Sequence, residues 1–121
     1  MPKTILIAAS DPNIIYLLQR YAETSGFHVT NAGQGIELQQ MALHTAPDLI
    51  VLEVGLPSDP AEQALRRLKT DPTTCDIPVV VYSCYDEFNG LNMEGAASYL
   101  QKSVMYSDFV EAVEQAGVVP K

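Results

Sequence analysis

Apolar residues along this chain fall into short unbroken runs separated by stretches with helical spacing. Thr4-Ile5-Leu6-Ile7-Ala8 is the first run and predicts a buried strand. Asp11-Pro12 follows, pairing a good N-cap residue with a proline suited to the first helical turn. Ile14, Leu18, Tyr21 and Ala22 then recur on one helical face, and Ser25-Gly26 ends that helix. Phe27-His28-Val29-Thr30 alternates and predicts a second strand. After a turn at Gln34-Gly35, Leu38, Met41 and Ala42 define a second helix that stops before Pro47. Asp48-Leu49-Ile50-Val51-Leu52-Glu53-Val54 is the strongest buried strand, apolar in the manner of a parallel strand covered on both faces. Beyond a loop at Pro57–Pro60, Leu65 and Leu68 mark a third helix, and Asp71-Pro72 opens a loop to Ile77. Pro78-Val79-Val80-Val81-Tyr82 is a fourth strand and Ala97-Ser98-Tyr99-Leu100 a fifth. Between them Asp86–Glu94 predicts a short helix, poorly patterned and weakened by Asn89-Gly90 and Asn92. Phe109, Val110 and Val113 give the last helix.

Strand and helix therefore alternate five times, which implies a parallel sheet with helices on both faces. Right-handed crossovers leave few topologies, and the expected one is a flavodoxin-like (βα)5 α/β domain over residues 1–121 with strand order 2-1-3-4-5. In such a sheet the functional crevice lies at the carboxyl ends of the strands. The residues placed there are Ala9, Ser10, Asp11, Glu53, Ser83, Cys84 and Lys102.

Composition narrows the function classes. With 121 residues, 47% apolar and 18% charged, the chain suits one globular domain. No apolar run approaches the ~18 residues of a membrane span, and the basic stretch and cleavage site of a signal peptide are missing, so the expected location is cytoplasmic and away from membranes. The net charge of −8 argues against direct nucleic-acid binding by this domain, because such binding rests on Lys and Arg neutralising phosphates. Cys75 and Cys84 form neither a disulfide framework nor a metal-ligand spacing.

Several segments in order resemble the receiver domains of two-component response regulators. Ile5-Leu6-Ile7 runs into Asp11-Pro12. Pro47-Asp48-Leu49-Ile50-Val51-Leu52 leads to an acid and then to Leu56-Pro57. Leu65-Arg66-Arg67-Leu68-Lys69, Asp76-Ile77-Pro78-Val79-Val80, Gly95-Ala96 and Tyr99-Leu100-Gln101-Lys102 complete the series, which spans about the whole chain.

The resemblance implies five functional groups: two acids after the first strand that hold Mg²⁺, a phosphoacceptor Asp ending the third, a hydroxyl ending the fourth, and a Lys after the fifth. Together they neutralise charge around a phosphoryl group. Only the last two match, as Ser83 and Lys102. The acid pair aligns with Ala9 and Ser10, and the acceptor position holds Glu53. Ala offers no oxygen, Ser is a poor ligand for a hard cation, and the added methylene of Glu displaces its carboxylate by about 1.5 Å. A misplacement on the order of 1 Å can slow a reaction about 10²-fold. Mg²⁺ binding is therefore expected to be lost, with no cofactor, metal or catalytic residue. Ser103 stands where Pro usually follows the Lys, Pro60-Ala61 replaces the usual Asp-Gly, and the Ser83–Lys102 interval is about three residues short of the family's usual length.

Each residue also has a plainer reading. Asp11 is expected to cap its helix, a contribution of roughly 1 kcal/mol. Glu53 is either a mimic of a phosphorylated Asp or a drifted acid held by Lys102. Tyr99 aligns with the family's switch aromatic or is a half-buried strand residue. His28 and His44 read as solvated surface residues, and the Tyr82, Tyr85, Phe88 and Tyr99 group as packing.

The function expected is that of a pseudo-receiver: a phosphorylation-independent signalling module, not an enzyme. It would bind a protein partner or itself through the face made by the fourth helix, fifth strand and last helix. Tyr99, Tyr106, Phe109 and Val110 are its candidate interface residues. The alternatives are a phosphoacceptor receiver in a phosphorelay, and a small-molecule sensor using the vacated acidic pocket.

Overall fold

All five predicted strands form, and the third and fourth carry the apolar runs that call for cover on both faces. The computed structural model describes residues 3–9, 11–32, 36–53, 61–83, 95–101 and 105–118. In chain order these give β1 (Thr4–Ala8), α1 (Pro12–Thr24), β2 (His28–Ala32), α2 (Ile36–Thr45), β3 (Leu49–Glu53), α3 (Ala61–Thr70), β4 (Val79–Ser83), β5 (Ser98–Gln101) and α4 (Tyr106–Gln115). The short helix predicted over Asp86–Glu94 lies outside the described residues. The sheet order is β2-β1-β3-β4-β5, every pair parallel, as the alternating pattern implies.

Alternation along each strand divides the core into two layers. Leu6, Ala8, Ile50, Leu52, Val79 and Val81 pack with Leu38 and Ala42 of α2 and Ala64, Leu65 and Leu68 of α3. Ile5, Ile7, Leu49, Val51, Val80, Tyr82 and Leu100 pack with Leu18 and Ala22 of α1 and Phe109, Ala112 and Val113 of α4. β3 and β4 are buried along their whole length, so each large aliphatic side chain there contributes roughly 1.5–3 kcal/mol of burial.

Helix ends follow local chemistry. The Asp11 carboxylate accepts from the Asn13 backbone N–H at 2.9 Å, the cap expected from Asp11-Pro12. α1 closes with a Schellman motif: Gly26, at φ +97°, donates to Glu23 O and Phe27 donates to Ala22 O, both at 3.0 Å. Phe27 thus belongs to the closure of α1 and not to the second strand, which begins at His28. α4 closes in the same way, Gly117 donating to Glu114 O at 2.9 Å and Val118 to Val113 O at 3.2 Å. α2 ends less comfortably, on Ala46 at φ +45°.

Two polar braces hold the amino-terminal edge of the sheet. Thr4 N–H donates to the Asp48 carboxylate at 2.9 Å, and Asp48 N–H returns a bond to Thr4 O at 2.8 Å, pinning the start of β3 to β1. Lys69 Nζ donates to Ile77 O at 2.7 Å and Cys75 O at 3.3 Å, tying the end of α3 to the loop before β4. Its stem runs close to Gly95, where an added Cβ would lie 3.3 Å from Lys69 Cγ at a φ of +98°. Burial pushes the Lys69 amine below its ordinary value, opposed by nearby Cys75 and Asp76.

Candidate functional site

The carboxyl edge of the sheet gathers Ala9, Glu53 and Ser83. Ala8 is in register with Leu52, so Ala9 follows β1 at the level where Glu53 ends β3. Glu53 is in turn in register with Tyr82, and Ser83 with Gln101. Ser10, Cys84 and Lys102 lie outside the described residues. The register thus puts Ala9, Glu53 and Ser83 at one edge of the sheet, while Asp11 caps α1.

Their surroundings differ from one another. Glu53 is 7% exposed and Ser83 fully buried, and neither side chain is free of partners. Ala9 is half-buried, and its methyl packs against the layer containing Ile5, Ile7 and Val51. A carboxyl group buried as deeply as that of Glu53 must be satisfied by its neighbours, because an isolated buried charge is very costly.

This donor set does not suit the divalent cation that such a crevice would otherwise hold. Mg²⁺ takes oxygen ligands in near-octahedral geometry. The Ala9 side chain has none and is engaged in apolar packing. Among the described residues no group of three or more His, Cys, Asp or Glu comes together as metal ligands.

The expected interface residues separate into two kinds. Tyr99 is 46% exposed on β5 and Tyr106 41% exposed at the start of α4, with Val110 half-buried one turn on. Phe109 is not a surface residue. It is 1% exposed, sits in the α1/α4 core layer, and its ring centroid lies 6.0 Å from that of Tyr21. Helical spacing explains this: Phe109, Ala112 and Val113 make the stripe that α4 turns to the sheet. Tyr106 also has a structural duty, stacking edge-on to Tyr21 at 5.6 Å with its hydroxyl 3.0 Å from Ser25 Oγ. Sequence reasoning missed Met105, 63% exposed beside Tyr106, because its backbone role hides it: Met105 N–H donates to Asp108 Oδ2 at 2.9 Å at the start of α4.

Residues 5–114 match the family described as the response regulator receiver domain, and the chain belongs to it. The chain is 37% identical over 106 residues to the DNA-binding dual master transcriptional regulator RpaA of Synechocystis, a match covering 84% of this chain and 43% of that protein. It thus spans under half the length of that relative. It is 25% identical over 118 residues to the polar-differentiation response regulator DivK of Brucella anthropi, covering 94% of this chain and 95% of DivK. Among solved structures, a response regulator from Chloroflexus aurantiacus superposes with a TM-score of 0.88 at 22% identity, covering 98% of this chain and all of the other. No helix of the described residues is long and apolar enough to cross a membrane.

Proposed function

We propose that this receiver domain works without phosphorylation, as a pseudo-receiver that signals by binding a protein partner. The observation that carries the reading is Ala9, whose methyl packs into the core beside the position of Glu53, where a receiver needs a carboxylate to hold Mg²⁺. Electrostatic neutralisation is the main source of catalysis in phosphoryl transfer, so a crevice lacking its metal ligands and carrying a lengthened acceptor loses most of that catalysis. Glu53, buried at the acceptor position, keeps a fixed negative charge or polar anchor there, with Lys102 as its proposed counter-charge. The domain then needs no catalytic residue, and its partner-binding state is set by the sequence and not by a phosphodonor. The exposed aromatics Tyr99 and Tyr106, with half-buried Val110, are the proposed contact residues. The cytoplasm is the proposed compartment.

A Mg²⁺ titration followed by amide NMR tests the reading. No saturable shift is expected at Ala9, Glu53 or Ser83 at millimolar Mg²⁺. Ala9→Asp, Ser10→Asp and Glu53→Asp introduced together should restore one, while each alone should do little, because the ligands act as a set. A saturable shift at these amides in the wild-type domain would overturn the proposal and favour the phosphoacceptor alternative.

A further inference from the structure

A second site lies at the other end of the molecule. Residues of the two Schellman closures, of α1 and of α4, share the lining of one cavity of about 400 Å³, formed by Ser25, Phe27, Val110, Val113, Glu114 and Gly117, among others. Its apolar lining is continuous with Phe109 and Val118 of the core.

Three features give this groove one electrostatic sign. Helices α1 and α4 both end on it, and each C-terminus carries roughly half a negative charge from its aligned peptide dipoles. A Schellman motif satisfies the C2 and C3 carbonyls and leaves the last two of each helix facing outward. Neither helix places a basic residue in its last turn, the usual compensation. Glu114 lines the groove, and the other charged residues of α4, Asp108 and Glu111, are also acidic and exposed.

The groove also follows part of α4. Val110, Glu114 and Gly117 of its lining follow one another along the same side of α4. Val110 to Gly117 spans about 10 Å at 1.5 Å per residue, the length of about two helical turns. Two turns of apolar floor beside an acidic rim suit an amphipathic segment laid along them.

From the apolar floor and the uncompensated negative rim we infer that this groove docks a basic amphipathic segment of a partner protein, with aliphatic or aromatic side chains on the floor and Lys or Arg against the two helix C-termini and Glu114. The site is distinct from the carboxyl-edge crevice, and its occupancy does not depend on whether that crevice accepts phosphate.

Fluorescence anisotropy with a labelled synthetic peptide of repeated Lys-Leu-Leu-Lys blocks tests the inference on the whole domain, with amide NMR to locate the bound peptide. Saturable binding with shifts at Ser25, Phe27, Gly117 and Val118 is expected. Glu114→Lys should weaken it about 5- to 10-fold, and Val110→Asp about 10-fold or more by placing a charge on the floor. Asp76→Lys, an equal charge reversal in the loop before β4 and outside the lining, should change it little. Equal weakening by Glu114→Lys and Asp76→Lys would reduce the effect to net charge and overturn the inference. So would equal binding of the Glu-for-Lys peptide, or no binding at all. Cross-peaks in the free domain between Phe27 and residues 119–121 would assign the groove to the chain's own end, which also overturns it.

Discussion

The Tyr106 hydroxyl lies 3.0 Å from Ser25 Oγ, joining the first turn of α4 to the closure of α1 across 81 residues of sequence. With the edge-on contact to Tyr21, this makes Tyr106 a fastener between the two helices that cover one face of the sheet. Tyr106→Phe keeps the ring contact and removes the hydrogen bond, so it should lower stability by about 0.5–1 kcal/mol. Tyr106→Ala should lower it further. Urea denaturation of the three proteins measures both steps, and a Tyr106→Phe domain as stable as wild type would show that water replaces the bond without loss.

Phe109 and Tyr99 should separate cleanly as core and surface. Phe109→Ala empties a buried site and should destabilise by about 3–5 kcal/mol. Tyr99→Ala, on a side chain 46% exposed, should stay within about 0.5 kcal/mol of wild type while weakening partner binding. Thermal melts of each variant give the comparison. Equal losses would place Tyr99 in the core's cooperative packing and remove it from the proposed interface.

Ala46 holds φ +45° at the end of α2, a conformation that glycine adopts freely and a Cβ opposes. Its N–H bonds to Ala42 O at 3.1 Å, so the residue is a helix closure carrying the wrong side chain. Ala46→Gly should stabilise by roughly 1 kcal/mol, read as a higher urea midpoint at unchanged slope. A lower midpoint would mean that the added freedom of the unfolded chain outweighs the relieved strain.

Lys69 sets a pH dependence with a definite sign. Its amine is held below the ordinary value of 10.5, chiefly by burial. In the window beneath 10.5 the unfolded chain therefore binds a proton that the folded chain has shed. Stability contributed at this position rises with pH through that window, is fully present above 10.5, and is lost as pH falls through the folded value. The neutral amine still donates to Ile77 O and Cys75 O. Wild type should thus gain on Lys69→Met as pH rises from neutral, measured by denaturation at matched ionic strength. A gap that narrows with pH contradicts this.

The sheet was legible because its strands are uninterrupted apolar runs: covering Leu49–Leu52 and Val79–Tyr82 on both faces leaves few other folds. Ala9, Glu53 and Ser83 were legible as a group for the same reason, since strand ends converge on one edge. Finer features depended on distant or conformational partners. Phe27 alternates with its neighbours like a strand residue, yet its N–H closes α1. Ala46 gives no signal of positive φ, because that position usually carries Gly or Asn. Phe109 and Val110 are adjacent apolar residues, and only the orientation of α4 decides which one is buried. The groove depends on Ser25 and Gly117, far apart in sequence, lining one cavity, which no local pattern encodes.

Intact-mass measurement after incubation with acetyl phosphate and Mg²⁺ tests the central claim most directly. The mass of the wild-type domain should stay unchanged, while the Ala9→Asp, Ser10→Asp and Glu53→Asp triple variant should gain one phosphate that hydroxylamine removes. A wild-type domain that gains one phosphate mapping to Glu53 would contradict the account.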